Sequence, residues 1–311
     1  MEVFECRACG TALTVALSRV AFPVHGGFQY GNGVRMPVLM EAGTYGVDEG
    51  PDGEPWSIVI APGDTDGTEL VQRFELGACC GIDGRDGPNV TCVGCGRKVA
   101  TRVDACSLWQ ATWLVPDAVQ AVPVGPSRPV ADWASLTEPS CATAPLETDG
   151  EWNIRWEAEA SVTLAHLVHA AEGVPVAFSG GPCADAFGRL LGELAPPSSR
   201  PALSAVLAGP GRPLSGPLPD IAVVPYHPQT GELWPTPPGV AAAPMAADFW
   251  TYLAFQDRRP LRPVTGRLPP GIERDDPLPP HPRRPLMEVR GAYLYTLKLL
   301  DPARVKDSEL W

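Results

Sequence analysis

Four cysteines carry the clearest chemistry in the chain: Cys6 and Cys9 in FECRACGTALT, and Cys92 and Cys95 in VTCVGCGRKVA. The Cys-x-x-Cys spacing lets one tight turn aim two thiolates at a single point, and two such turns satisfy the tetrahedral preference of a structural zinc ion. Gly10 and Gly96 each follow the second cysteine of a pair. Glycine there can take a positive φ, which brings backbone N–H groups towards the sulfurs. The matched detail predicts one zinc site built from both pairs, with no coordination position left for a substrate. Four thiolates leave the ion with net negative charge, and Arg7, Arg97 and Lys98 stand in or beside the pairs to offset it. A redox pair of the thioredoxin kind is the alternative, but that motif lies between a strand and a helix. Both flanks here read as strands.

Other residues invite weaker readings. Cys183 sits near the start of a predicted helix in FSGGPCADAFGRLL, where a helix N-terminus can activate a thiol and hold an anion. Its spacing to Arg189 matches the Cys-x5-Arg of cysteine phosphatases, yet the loop lacks the usual preceding His and carries Asp185. Cys183 is therefore the candidate nucleophile of an alternative, enzymatic reading, with a packed cysteine as the plain one. His166 and His169 share a helix without an HExxH pattern and read as solvated. His227, beside Tyr226 and a PQTG turn, reads as part of a hairpin tip. Cys79, Cys80 and Cys106 are spare ligands, a reactive group or, most plainly, buried small hydrophobes. No Walker loop, GxGxxG or nucleophile elbow is present.

The elements that must position the cysteines are strands. Between Cys9 and Cys92 lie 82 residues. TALTVALSRVAF, RMPVLME, WSIVIAPG and TELVQRF have β-branched or alternating apolar character, as does KVATRVD after the second pair, and Gly, Asp and Pro turn signals separate them. An antiparallel β domain clipped by an ion at its start and end accounts for the gap.

Two knuckles around an intervening sheet resemble the β-tent group, which includes the Yippee-like proteins, the thalidomide-binding domain of cereblon and the zinc-bearing methionine sulfoxide reductases. The resemblance covers about residues 1–120. It implies a structural zinc held by Cys6, Cys9, Cys92 and Cys95 in a recognition module. The cereblon-type domain has a Trp cage with one Trp shortly after the second knuckle, where this chain has GRKVATR. Trp56, Trp109 and Trp113 are the residues from which a small-ligand cage would be built here, with core packing as the ordinary fate of such Trp. The sulfoxide reductases carry a catalytic Cys beyond the second knuckle; Cys106 is the sole counterpart, without the surrounding motif.

A composition shift after Leu114, towards Pro, Ala, Ser and Thr, marks a linker at about 121–150. Beyond it, helical periodicity in ASVTLAHLVHAAEG and CADAFGRLLGEL alternates with strand-like VPVAFSGG and DIAVVPYHP, predicting a mixed α/β domain over 151–311. AADFWTYLAFQ reads as a further helix, and AYLYTLKLL fits either type. A Pro/Arg-rich segment at 258–290 reads as an extended arm able to meet an acidic partner. The fold class expected is α+β. A formal charge of −12 opposes general nucleic-acid binding, which needs clustered cations. With no apolar run long enough for a membrane and no signal-peptide pattern, the expected location is the cytoplasm. The sequence thus reads as a zinc-binding recognition or interaction module whose protein or small-molecule partner it does not name.

Overall fold

The computed structural model describes residues 1–26, 36–49, 55–71, 80–137, 146, 150–194, 199–255, 282 and 284–306. The chain divides into two compact units, Met1–Val130 with Gln229–Gly231, and Ala131–Pro228 with Glu232–Trp311. The fold class is α+β, with strands throughout and helices in the second unit.

In the first unit, β1 (Glu2–Cys6) pairs antiparallel with β9 (Val119–Pro123). The remaining strands are β2 (Ser18–Arg19), β3 (Thr44–Glu49), β4 (Pro55–Ile60), β5 (Thr68–Leu70), β6 (Val90–Cys92), β7 (Lys98–Val103) and β8 (Ala111–Leu114). They form a seven-stranded sheet ordered β2-β3-β4-β8-β7-β6-β5, antiparallel except for β2 on β3. Phe4, Leu13, Leu17, Ile60, Val99 and Leu114 meet in its core, with Cys6 and Cys92 among them. The β9 strand carries this unit past residue 120, into the stretch read as linker, because its backbone completes the β1 ladder.

Two expected strands take other forms. Residues 11–22 contain only β2 and isolated bridges, since Leu13 N–H bonds Phe4, Val15 N–H bonds Asp64 and Leu17 N–H bonds Glu2, so the segment is shared among several partners. Around Met36–Glu41 only Val38 bridges, to Gln110; Pro37 has no N–H with which to extend a ladder.

The second unit holds α1 (Ile154–Ala170), β10 (Val176–Phe178), α2 (Pro182–Leu194), β11 (Leu203–Leu207), β12 (Ile221–Tyr226), β13 (Ala241–Ala246), α3 (Ala247–Phe255) and α4 (Arg290–Leu300). Its four strands run parallel in chain order. Residues 221–225 of β12 are all buried, as expected of a strand covered on both faces. The Asn153 side chain caps α1 by accepting the Arg155 N–H at 2.9 Å, so the helix starts at Ile154 rather than at Ala160. Gly209 gives room to Trp250: a β-carbon there would lie 2.3 Å from the indole, whose Nε1 donates to the Val223 carbonyl at 3.3 Å.

Most of the Pro/Arg-rich segment lies outside the described residues, but its end is ordered against α1. Arg284 forks onto buried Glu157 at 2.5 and 3.0 Å and also pairs with Glu151. Glu157 further accepts the Met287 N–H at 2.9 Å, and Ser161 Oγ accepts the Val289 N–H at 2.8 Å. The acidic partner of Arg284 is thus this chain's own helix. Among the described residues no helix is long and apolar enough to cross a membrane.

Candidate metal centre

The first knuckle closes the end of β1. Cys6 N–H donates to the Thr11 carbonyl at 2.8 Å, and the Cys6 carbonyl accepts from Cys9 and Gly10 at 3.3 and 2.8 Å. The second, at the end of β6, repeats the scheme: Cys92 N–H donates to the Arg97 carbonyl at 2.9 Å, and the Cys92 carbonyl accepts from Gly96 at 2.8 Å. Gly10 and Gly96 have φ of 73° and 74°, the left-handed conformation that glycine adopts without steric cost. Each strand thereby delivers one buried sulfur, Cys6 or Cys92, and one exposed sulfur, Cys9 or Cys95.

The four Sγ atoms lie within 4.8 Å of one another. Cys6 to Cys95 and Cys9 to Cys92 are each 3.6 Å. Tetrahedral ligation with Zn–S bonds of about 2.3 Å requires sulfur edges of about 3.8 Å. The donor set therefore fits a single thiophilic ion, and this four-cysteine group could hold one.

Two residues that spacing did not single out shape the group. Thr11 Oγ1 lies 3.2 Å from Cys9 Sγ. A β-carbon on Gly94 would fall 2.3 Å from that hydroxyl and 3.3 Å from Cys9 Sγ, so the turns interdigitate only because residue 94 is glycine. A Gly between the two cysteines of a pair was a readable signal; the role of Thr11 required the opposing turn to be in place. The cationic neighbours also act as tethers. Arg7 donates to Ala118 and Val119 carbonyls through its N–H and Nε at 2.9 and 3.1 Å, and Arg97 donates to the Asp117 carbonyl at 3.2 Å. Both knuckles are tied to the same short stretch, residues 117–119, where β9 begins.

Electrostatics differ among the thiols. Hydrogen bonds from the Thr11 hydroxyl and the Thr11 backbone draw the Cys9 thiol down to about 6. At Cys95 a backbone hydrogen bond from Arg97 acts downward, but it is outweighed by hydrogen bonding with Cys9, by desolvation and by hydrogen bonding with Cys6 and Cys92, leaving the thiol at about 11. The Thr11 contacts thus favour the thiolate form of Cys9.

The other sequence candidates are scattered. Cys183 is the second residue of α2 and lies in the hydrophobic core of the second unit, where burial pushes its thiol up to about 12 against the opposing charge of Arg212. Arg189 is engaged by Glu193 at 2.8 and 2.9 Å and by the Leu286 carbonyl at 2.9 Å. Trp109 is buried and packs on His25, with ring centroids 4.9 Å apart, whereas Trp113 packs on Phe22 at 6.2 Å. These two rings have different aromatic neighbours, and the Trp56 side chain lies outside the described residues. His166 is half-buried rather than solvated: desolvation, aided by His169, lowers it to about 4. His227 does belong to a hairpin, with N–H to Glu232 at 2.7 Å, but its ring is buried against Trp133 and its Nε2 lies 2.9 Å from the Ala131 carbonyl. Cys79 lies outside the described residues; Cys80 is exposed and Cys106 half-buried, unlike the buried fate expected of them.

Comparison with protein-family models, curated proteins and solved structures found no match to this chain.

Proposed function

We propose that the first unit is a zinc-closed β module that acts in recognition, and that Cys6, Cys9, Cys92 and Cys95 are its four ligands. The observation that carries this reading is the pair of equivalent knuckles whose sulfurs approach with 3.6 Å edges. Four protein thiolates fill a tetrahedron, so the ion would supply no Lewis acid to a substrate. It would supply folding free energy, on the order of 10 kcal/mol in small metallo-domains. Thiols on strand ends, with a sheet between, support the likeness to the β-tent group. A recognition role follows from a rigid β scaffold with a coordinatively closed ion, and the net charge of −12 favours protein or small-molecule partners over nucleic acid. A reducing compartment such as the cytoplasm would keep the four thiolates available.

Chelator treatment followed by hydrogen exchange tests the module. Protection in β1, β6 and β7 is expected to collapse on metal removal and to return with added zinc. Unchanged protection after complete metal removal would overturn the reading.

A further inference from the structure

A second cysteine pair lies on the first unit, apart from the four-sulfur group. Ile82 and Asp104 exchange both backbone hydrogen bonds, at 3.0 and 2.8 Å, as an antiparallel bridge. Beyond the bridge the backbone turns at Gly81, whose φ is 64°, and brings Cys80 and Cys106 together: the Cys106 backbone N–H donates to Cys80 Sγ at 3.1 Å. That contact places the two residues within reach of each other for a disulfide, which tolerates Cα separations of about 4.4–6.8 Å.

The local backbone is shaped for this approach. Gly81 has φ of 64°, and a β-carbon on it would lie 1.9 Å from the Asp104 carbonyl oxygen and 3.2 Å from the Ala105 Cα. Only glycine lets the two chains come so close beside Cys80. Directly after Cys106, Ser107 holds a φ of 68°, a conformation costly for a residue with a side chain and one that concentrates at functional turns. Cys80 is exposed and Cys106 half-buried, so small solutes can reach the pair.

We propose that Cys80 and Cys106 form a peroxide-responsive dithiol that closes to an intramolecular disulfide. The Cys80 thiolate attacks one oxygen of the peroxide, the O–O bond breaks, and the first water leaves with the released proton. The resulting sulfenic acid is attacked by the Cys106 thiolate; its S–O bond breaks, the S–S bond forms and the second water departs. Two thiols lose two protons and two electrons, and hydrogen peroxide accepts both. The bridge encloses residues 81–105, which contain β6, β7 and the second knuckle.

The test treats the full chain with one equivalent of hydrogen peroxide and maps its peptides without reduction. A Cys80–Cys106 cross-link is expected, with the mass of two hydrogens lost and restored by a dithiol reductant. Cys80→Ser or Cys106→Ser is expected to abolish the intramolecular cross-link, and Cys79→Ser to leave it intact. Cross-linking that survives Cys80→Ser but vanishes in Cys79→Ser would overturn the assignment. So would over-oxidation to sulfinic acid without a bridge. A matching circular dichroism spectrum for each variant separates lost chemistry from lost folding.

Discussion

At the residue scale, the four-cysteine group depends on side chains that are absent as much as on those present. Gly94 leaves the space that Thr11 occupies, and Thr11 in turn holds the Cys9 sulfur. Gly94→Ala is expected to weaken metal retention and cost on the order of 1–3 kcal/mol, as overpacking does. Chelator competition checks this, and adding Thr11→Ala should recover part of the loss because the clash is with that hydroxyl. Cys183 illustrates the opposite environment. Its thiol, pushed up to about 12 by burial, is expected to react with iodoacetamide at pH 7 far more slowly in the folded protein than after denaturation. Rapid alkylation of native Cys183 would contradict that. The grouping of the four cysteines was legible in the sequence because spacing and trailing glycine express local geometry. Thr11 was not, since its contact with the sulfur site belongs to a turn that meets another turn 83 positions on, Gly94 being its counterpart.

At the element scale, α1 carries two carboxylates into the second unit. Glu157 is satisfied by Arg284, whereas Glu159, fully buried, shares Arg155 with Asp248. One guanidinium serves both carboxylates, and of the two only Glu159 is buried, Asp248 being half-buried. Burial first, then the Asp248 charge, pushes Glu159 up to about 8 against the pull of Arg155. The folded state therefore holds a proton that the unfolded chain releases near the ordinary carboxyl range of about 4.3. The stabilisation that Glu159 contributes to this unit is expected to be fully present below that value and to be lost as pH rises to about 8, by on the order of a few kcal/mol, and then to level off. Denaturant midpoints across that range check the slope, which Glu159→Gln should flatten. Helices were the more legible elements: α2 and α3 follow apolar periodicity and α4 resolves an ambiguous run as helix. The strands β11 and β13 were not foreseen. In AAAPMA small residues and a proline give little β signal, and the strand exists because β12 offers a parallel neighbour and the core needs thin side chains. In the first unit, residues 11–22 carried a strand pattern that was spent on bridges to several partners, a tertiary outcome that alternation alone does not encode.

At the scale of the whole molecule, each unit has its own apolar core, one including Cys6 and Cys92 and the other built on Trp156, Phe187, Phe249 and Trp250. The sequence distinguished these two regimes by composition, strands and cysteines first, helices and buried apolar runs later. The composition shift places the boundary near 120, whereas VQAVP closes the ladder on β1. The central claim is that an ion closes the first unit through both knuckles together. Zinc content of the purified protein and of Cys92→Ser, measured by elemental analysis, tests it most directly. One equivalent per chain is expected in the parent and near-complete loss in the variant, whereas less than about half an equivalent in the parent, or zinc retained by Cys92→Ser, would contradict closure by an ion.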